Sequence, residues 1–285
     1  MTQLLTTADE LTAWLREHPG QRGVVLTMGA LHDGHMRLVD RVREEVGPQG
    51  LVLTTVFVNP TQFGPGEDFE RYPRTLDADV ALCAAHGVDV VFAPAVDEVY
   101  PPAVPVPPGE PGPLGSELEG AIRPGHFAGV LQVVARLLAM TEADVTCFGE
   151  KDYQQLALVR RMVAANPQLH CRVIGVPIVR DADGLAMSSR NRYLSAIERQ
   201  QALAIPRTIA LVEQACAEGL SAQAAALEGF HALASSPGIT VDYVVVRGVD
   251  LDAAPPRGEG RVLIAARVGT TRLLDNAAVT FGGRS

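Results

Sequence analysis

Five short, valine-rich runs constrain this chain more than any other feature. Gly23 to Leu26, Leu51 to Val58, Val88 to Phe92, Asp144 to Phe148 and Arg172 to Val176 are largely continuous apolar stretches rather than alternating ones. A strand with one wet face alternates, whereas a strand covered on both faces does not. The runs therefore predict the buried strands of a parallel sheet. Helical spacing fills the gaps between them, at about residues 36–46, 75–86, 128–140 and 152–164. Strands and helices in alternation predict a doubly wound α/β domain, in which ligands bind beyond the carboxyl ends of the strands.

After about residue 180 the pattern changes. Ala-rich helical stretches at 196–218 and 222–234 precede strand-like runs at Val241 to Arg247 and Arg261 to Val268. Pro206 is expected to kink or split the first helix. Ser195 and Glu198 have the spacing of a capping box. These signals predict a small α+β domain at 180–285, following an α/β domain at 1–179. The stretch Pro101 to Pro113 holds seven prolines, which excludes a helix or central strand and predicts an exposed loop.

The bulk numbers narrow the partners. Hydrophobic residues are 47% of the 285, enough for packed cores. The net charge is −9 without a Lys/Arg block, which argues against nucleic acid as the main partner. Cys83, Cys147, Cys171 and Cys216 lie far apart, so neither a disulfide framework nor a zinc site is expected, and a reducing cytoplasm fits. Met1 to Leu15 carries Asp9 and Glu10 and does not read as a signal peptide. The best membrane candidate, Gly129 to Met140, contains Gln132 and Arg136 and is too short to span a bilayer.

Four polar clusters follow expected strand ends, and a fifth, Arg123 to Phe127, precedes the helical stretch near 128–140. Thr27-Met28-Gly29-Ala30-Leu31-His32-Asp33-Gly34-His35 comes first. Its two imidazoles sit where a strand turns into a helix, beside backbone N–H groups that suit an anion. A lone histidine there is more often a surface or capping residue. Asn59 and Gln62 follow the second strand, and their amides can bind a carboxylate or hydroxyl without adding charge, although Asn-Pro and Gly-Pro also mark ordinary turns. The charged stretch Glu67 to Arg74 reads as a lid or a solvated loop. Gly149-Glu150-Lys151-Asp152 opens a helix in which Gln155 lies one turn beyond Lys151; Asp152 suits either ribose hydroxyls or a cap. Arg123 offers a fork to an acid or phosphate, with His126 close by. Met187-Ser188-Ser189-Arg190-Asn191 follows the turn Arg180 to Gly184. Two hydroxyls and a guanidinium in succession suit a phosphate clamp on a leaving pyrophosphate.

Two rival readings of these clusters stay open. A simple nucleotidylyltransferase would use the same histidines but would need extra basic groups for a phosphate-ester acceptor. A non-enzymatic nucleotide-binding module would not need so many phosphate-facing residues.

Taken together and in order, the clusters resemble the pantoate–β-alanine ligase family, within the adenylate-forming nucleotidyltransferases. The matching segments are Thr27 to His35, Phe57 to Gly64, Tyr72 to Arg74, Arg123 to Phe127, Phe148 to Gln155, Met187 to Leu194 and Gly269 to Asn276. Leu26 stands where that family usually has proline, and the proline-rich stretch is longer than the family's. The resemblance implies a Rossmann-like sheet with a small C-terminal domain acting as a lid, and a homodimer. It also implies ATP-dependent, AMP-forming ligation of (R)-pantoate to β-alanine through a pantoyl adenylate, with Mg2+ on the phosphates. By the same resemblance His35 and His32 meet the phosphates, and Lys151, Ser188, Ser189 and Arg190 complete their cage. Met28, Gly29, Ala30, Leu31, Asp33 and Gly34 line the nucleotide on the first turn. Gly149, Glu150, Asp152, Val179 and Met187 take the ribose and adenine side. Gln62 and Gln155 would hold pantoate, with Asn59, Met28 and Arg123 nearby.

Overall fold

The computed structural model describes residues 2–64, 69–103, 106 and 109–282. They divide into two compact units. The first comprises 1–149 and 155–176, the second 150–154 and 177–285.

The first unit is built on a six-stranded parallel sheet. Its strands are β1 (Gln3–Leu5), β2 (Arg22–Thr27), β3 (Leu51–Val56), β4 (Val90–Phe92), β5 (Val145–Gly149) and β6 (Arg172–Val176). Their order across the sheet is β1-β4-β3-β2-β5-β6. This is the doubly wound arrangement that the valine-rich runs predict and the Rossmann-like sheet that the resemblance implies. All five runs are strands within a few residues of the expected bounds. Helices α1 (Ala8–Glu17), α2 (Asp33–Val46), α3 (Leu76–Ala85), α4 (Val96–Val99), α5 (Glu119–Ile122), α6 (His126–Thr141) and α7 (Tyr153–Ala165) accompany them. Helix α2 buries Met36, Val39, Val42 and Val46 against β2, β3 and β5, and so lies over the centre of the sheet. The edge strand β1 and α1 have no counterpart among the sequence expectations. Three residues are too few to give a period, and β1 is placed by pairing with β4 rather than by its own pattern.

The second unit contains α8 (Ala196–Ala202), α9 (Ala204–Ala217) and α10 (Ala222–Ala234), packed on an antiparallel sheet ordered β7-β8-β9. The strands are β7 (Ile239–Gly248), β8 (Gly258–Val268) and β9 (Thr271–Phe281). The expected long helix is split at Leu203, which leaves Pro206 in the first turn of α9, where its missing N–H breaks no helical bond. The capping box at Ser195 and Glu198 is formed: Ser195 Oγ accepts from Glu198 N at 3.3 Å, and Glu198 Oε2 accepts from Ser195 N at 2.8 Å. Strand β9 was not expected as a strand, and it completes the sheet.

Of the proline-rich stretch, Pro105, Pro107 and Pro108 lie outside the described residues; Pro113 opens a 3-10 turn through Ser116. Among the described residues, no helix is long and apolar enough to cross a membrane.

All four cysteines are free and buried. Burial pushes the Cys83 thiol up to about 11, and those of Cys147 and Cys171 up to about 12. The thiolate is the reactive form. At pH 8 the native protein should therefore resist alkylation, with each of these thiols at least about 100-fold slower than free cysteine. All four should label once denaturant is added. One rapidly labelled thiol in the native protein, located by peptide mapping, would contradict this burial.

Candidate active site

In the first unit the chain leaves β2 toward β3 on one side, while β5 pairs with β2 on the other. This is the topological switch point, and the crevice beyond the strand ends there is where open α/β sheets bind ligands. The turn from β2 into α2 occupies it. Thr27 anchors the turn: its Oγ1 donates to Thr55 O at 2.6 Å and accepts from Gly29 N at 3.2 Å. Gly29 and Ala30 then both take positive φ, +84° and +51°. Glycine does so freely, whereas alanine there is strained.

His32 is the N-cap of α2 and His35 its third residue. Each ring accepts a backbone N–H at Nδ1, His32 from Gly34 at 3.1 Å and His35 from His32 at 3.3 Å. A neutral imidazole that accepts through one nitrogen carries its proton on the other, so both rings are set as Nε2–H donors. The ring centroids are 4.1 Å apart. The capping role that a lone histidine would have and the anion-binding role are thus not alternatives. Capping uses Nδ1 and fixes the tautomer that carries the Nε2–H donor. Asp33, the first residue of α2, is exposed.

Asp79 is the residue that motif reading missed. It is buried on α3, and its Oδ1 accepts from Leu31 N at 2.8 Å while Oδ2 accepts from Ala30 N at 3.1 Å and Thr75 Oγ1 at 3.2 Å. A carboxylate of the protein itself thus holds the strained part of the histidine turn. The available signal was a carboxylate on the inner face of a predicted helix, which is uncommon without a partner.

Beyond β3, Asn59 caps a 3-10 turn, Pro60–Gln62. The Asn59 amide donates to Gln62 Oε1 and to Gly129 O, both at 3.1 Å, and Tyr100 donates its hydroxyl to Asn59 Oδ1 at 2.9 Å. Gln62 Nε2 lies 2.9 Å from Met28 Sδ, so Met28, Asn59 and Gln62 form one cluster. Gly129 lets α6 approach it: a Cβ there would lie 2.2 Å from Thr61 O. His126 Nδ1 donates to Gln62 O at 2.9 Å, and Arg123 Nη1 donates to His126 Nε2 at 3.0 Å. Arg123 therefore reaches the cluster through the Gln62 backbone. Next to it lies a cavity of about 310 Å³ lined by Met28, Gly29, Phe57, Arg74, Asp79 and others. Of the expected lid, Glu67 and Asp68 lie outside the described residues; Phe69 and Tyr72 pack edge-on against Phe63. Gly149 ends β5, and Gln155, partly exposed, lies in the first turn of α7.

The second unit holds the other group of candidates. Lys151 sits on a 3-10 turn, Glu150–Asp152, before α7 begins, and not on the helix itself as expected. Its Nζ lies 3.4 Å from Asp152 Oδ1. The Glu150 carboxylate is taken by Arg261 at 2.8 Å. Val179 and Met187 pair across a hairpin, with Met187 N donating to Val179 O at 2.9 Å. Ser188 then caps a 3-10 turn from Ser189 to Tyr193, its Oγ accepting from Arg190 N at 3.2 Å. Lys151, Ser188, Arg190 and Arg272 line one small pocket, so three of the four expected phosphate-cage residues of this unit converge, joined by an arginine not singled out beforehand. Among the described residues, no group of three or more His, Cys, Asp or Glu is placed to hold a metal ion.

Comparison with known proteins points one way. Residues 3–278 match the family model described as pantoate-beta-alanine ligase. A pantothenate synthetase of Salinispora arenicola is 51% identical, over 98% of this chain and 98% of that protein. One from Nocardioides sp. is 49% identical, over 99% of this chain and 86% of that protein. A crystal structure of pantothenate synthetase from Thermus thermophilus superposes with a TM-score of 0.88 at 42% identity, covering 96% of this chain and 98% of that one. A pantoate-beta-alanine ligase from Francisella tularensis, complexed with beta-gamma ATP and beta-alanine, gives 0.77 at 28% identity and covers 97% of each chain.

Proposed function

Since the chain belongs to the pantoate–β-alanine ligase family, we propose that it joins (R)-pantoate to β-alanine with ATP, through a pantoyl adenylate, releasing AMP and pyrophosphate. The observation that carries this reading is the pair of histidines fixed as Nε2–H donors at the switch point of the sheet. The Francisella tularensis relative, solved with a nucleotide and β-alanine, supports two of the three substrates.

A carboxylate is a poor acyl donor because its oxide does not leave. In the first step a pantoate carboxylate oxygen bonds to the α-phosphorus, and the bond from that phosphorus to the bridging oxygen breaks. Pyrophosphate leaves with the electron pair. In the second step the uncharged amine of β-alanine attacks the acyl carbon, the bond to the AMP oxygen breaks, and the new amide nitrogen sheds its proton. Charge builds on phosphate oxygens in the first step, so donors fixed in advance lower that barrier.

His35 and His32 supply two such donors, with His35 the principal catalytic residue. Lys151, Ser188, Ser189 and Arg190 meet the charge on the leaving pyrophosphate. Met28 to Gly34 line the nucleotide on the first turn, and Gly149, Glu150, Asp152, Val179 and Met187 serve its ribose and base. The Glu150 carboxylate is already paired, so its part falls to the backbone. Gln62 and Gln155 hold pantoate beside Met28 and Asn59, and Arg123 supports Gln62. A magnesium ion bound with the nucleotide would act as its counter-ion and neutralise phosphate charge. Such an ion would draw on few protein ligands, because magnesium gives up its waters reluctantly. A homodimer, suggested by the family resemblance, would show in sedimentation velocity.

Turnover with each substrate omitted in turn tests the reading. Pantothenate should need all three substrates. ATP and pantoate alone should give a single burst of pyrophosphate with the adenylate retained on the protein, detectable by rapid quench. Continuous nucleotide release without an amine would instead favour simple nucleotidyl transfer. A second expectation separates the substrates. By calorimetry, Gln62→Ala should weaken pantoate binding about tenfold, the effect of losing one hydrogen bond of about 1.4 kcal/mol, and leave ATP binding unchanged. Lost ATP affinity with intact pantoate affinity would reverse the assignment.

A further inference from the structure

The segment Gly269 to Asn276 belongs to the family pattern, yet it carries no role in the chemistry above. Two of its residues, adjacent on β9, are deeply buried polar side chains: Asp275 and Asn276. Asp275 receives the Arg180 guanidinium on both oxygens, at 2.7 and 2.9 Å. Arg180 also donates to Gly184 O at 3.1 Å and opens the hairpin that leads through Met187 into Ser188. Asn276 faces the other segment. Its Nδ2 donates to Glu150 O and Lys151 O, both at 2.9 Å, and its Oδ1 accepts from Arg261 Nε at 2.7 Å. Arg261 in turn pairs with the Glu150 carboxylate at 2.8 Å and lies 3.7 Å over the Tyr153 ring.

Resting on the ligase reading, we propose that Asp275 and Asn276 are positioning residues that fix Lys151 and the Ser188–Arg190 segment in register, so that both meet the same pyrophosphate. One strand holds both segments through neighbouring side chains, and the pocket lined by Lys151, Ser188 and Arg190 is also lined by Asp275. The side-chain chemistry suits the task. An amide provides two N–H donors for two carbonyls and one acceptor for Arg261, and no other uncharged side chain of that size does so. A carboxylate at 276 would face those carbonyls without a donor. Asp275 gives the bidentate geometry that holds an arginine by orientation as well as charge.

The test is a pair of double-mutant cycles on pyrophosphate release from ATP and pantoate. Asn276→Asp alone should lower kcat about 10- to 100-fold while the KM for pantoate stays within about twofold. In a Lys151→Ala background the same substitution should cost less than about twofold, because the group it positions is gone. Asp275→Asn against Arg190→Ala should behave alike. If the losses multiply in full in both backgrounds, the two residues do not act through Lys151 and Arg190, and the proposal fails. Should Asn276→Asp not fold, as judged by circular dichroism, Arg261→Lys takes its place in the cycle; it can still pair with Glu150 but loses the guanidinium Nε that donates to Asn276. A wild-type protein without pyrophosphate release would sink the ligase reading itself, a result distinct from multiplying losses in an active enzyme.

Discussion

Replacing His35 with alanine should leave a folded protein whose release of pyrophosphate from ATP and pantoate is about 100- to 1,000-fold slower, the usual cost of one lost donor to developing charge. The substitution also removes half of a capping box, because His35 Nδ1 accepts from His32 N. That loss costs about 1 kcal/mol of stability and does not unfold a protein of this size. The two effects can be separated. Glutamine is a usual residue at the third position of a capping box, so His35→Gln should restore the cap. It does not return an Nε2–H at the imidazole's position, so the rate should stay low. Thermal melts and pyrophosphate assays on the two variants decide between the roles. A His35→Gln enzyme with near wild-type rate would reduce His35 to a capping residue.

The first unit was largely legible in the sequence because burial on both faces writes a strand as an unbroken apolar run. Val24, Val25, Val52, Leu53, Val90 and Val91 are all fully buried, and each falls in a run read as strand. What the pattern missed has a common cause. Gln3–Leu5 is too short to carry a period, and β9 mixes Arg272, Asp275 and Asn276 into its apolar positions. Those polar residues have partners on other segments, and such pairing is invisible in a linear pattern. The same limit applies to the site. His32, His35, Gln62, Lys151 and Ser188 to Arg190 could be singled out because each ends or follows a strand. Asp79 and Arg261 gave a weaker signal, a charge inside a helix or a strand, because their partners Ala30, Leu31 and Glu150 are far away in sequence. Lys151 was expected at the opening of the helix, but it lies on a 3-10 turn, Glu150–Asp152, that ends before α7 begins.

Asp79 gives the second large effect. The turn that carries both histidines passes through two residues with positive φ, and Ala30 is the costly one. Left alone, such a turn would relax toward ordinary φ and shift the start of α2. The Asp79 carboxylate opposes this with hydrogen bonds to the N–H groups of Ala30 and Leu31. Asp79→Ala should therefore act twice. It orphans two donors in and beside the core, at about 1–3 kcal/mol for each that water does not reach. It also frees the turn, and a displacement of about 1 Å in a catalytic group can cost about 100-fold in rate. Adenylation by Asp79→Ala should fall by that order, with pantoate affinity preserved because the Asn59–Gln62 cluster is held by Tyr100 and α6 instead. Asp79→Asn keeps one oxygen acceptor and should lie between the two in both stability and rate. Calorimetric melts, pyrophosphate release and pantoate titration on these variants make the comparison. If Asp79→Ala melts and turns over like the wild type, the turn holds its own conformation and the carboxylate is not its brace. If stability falls while the rate holds, Asp79 stabilises the unit without aiming the histidines.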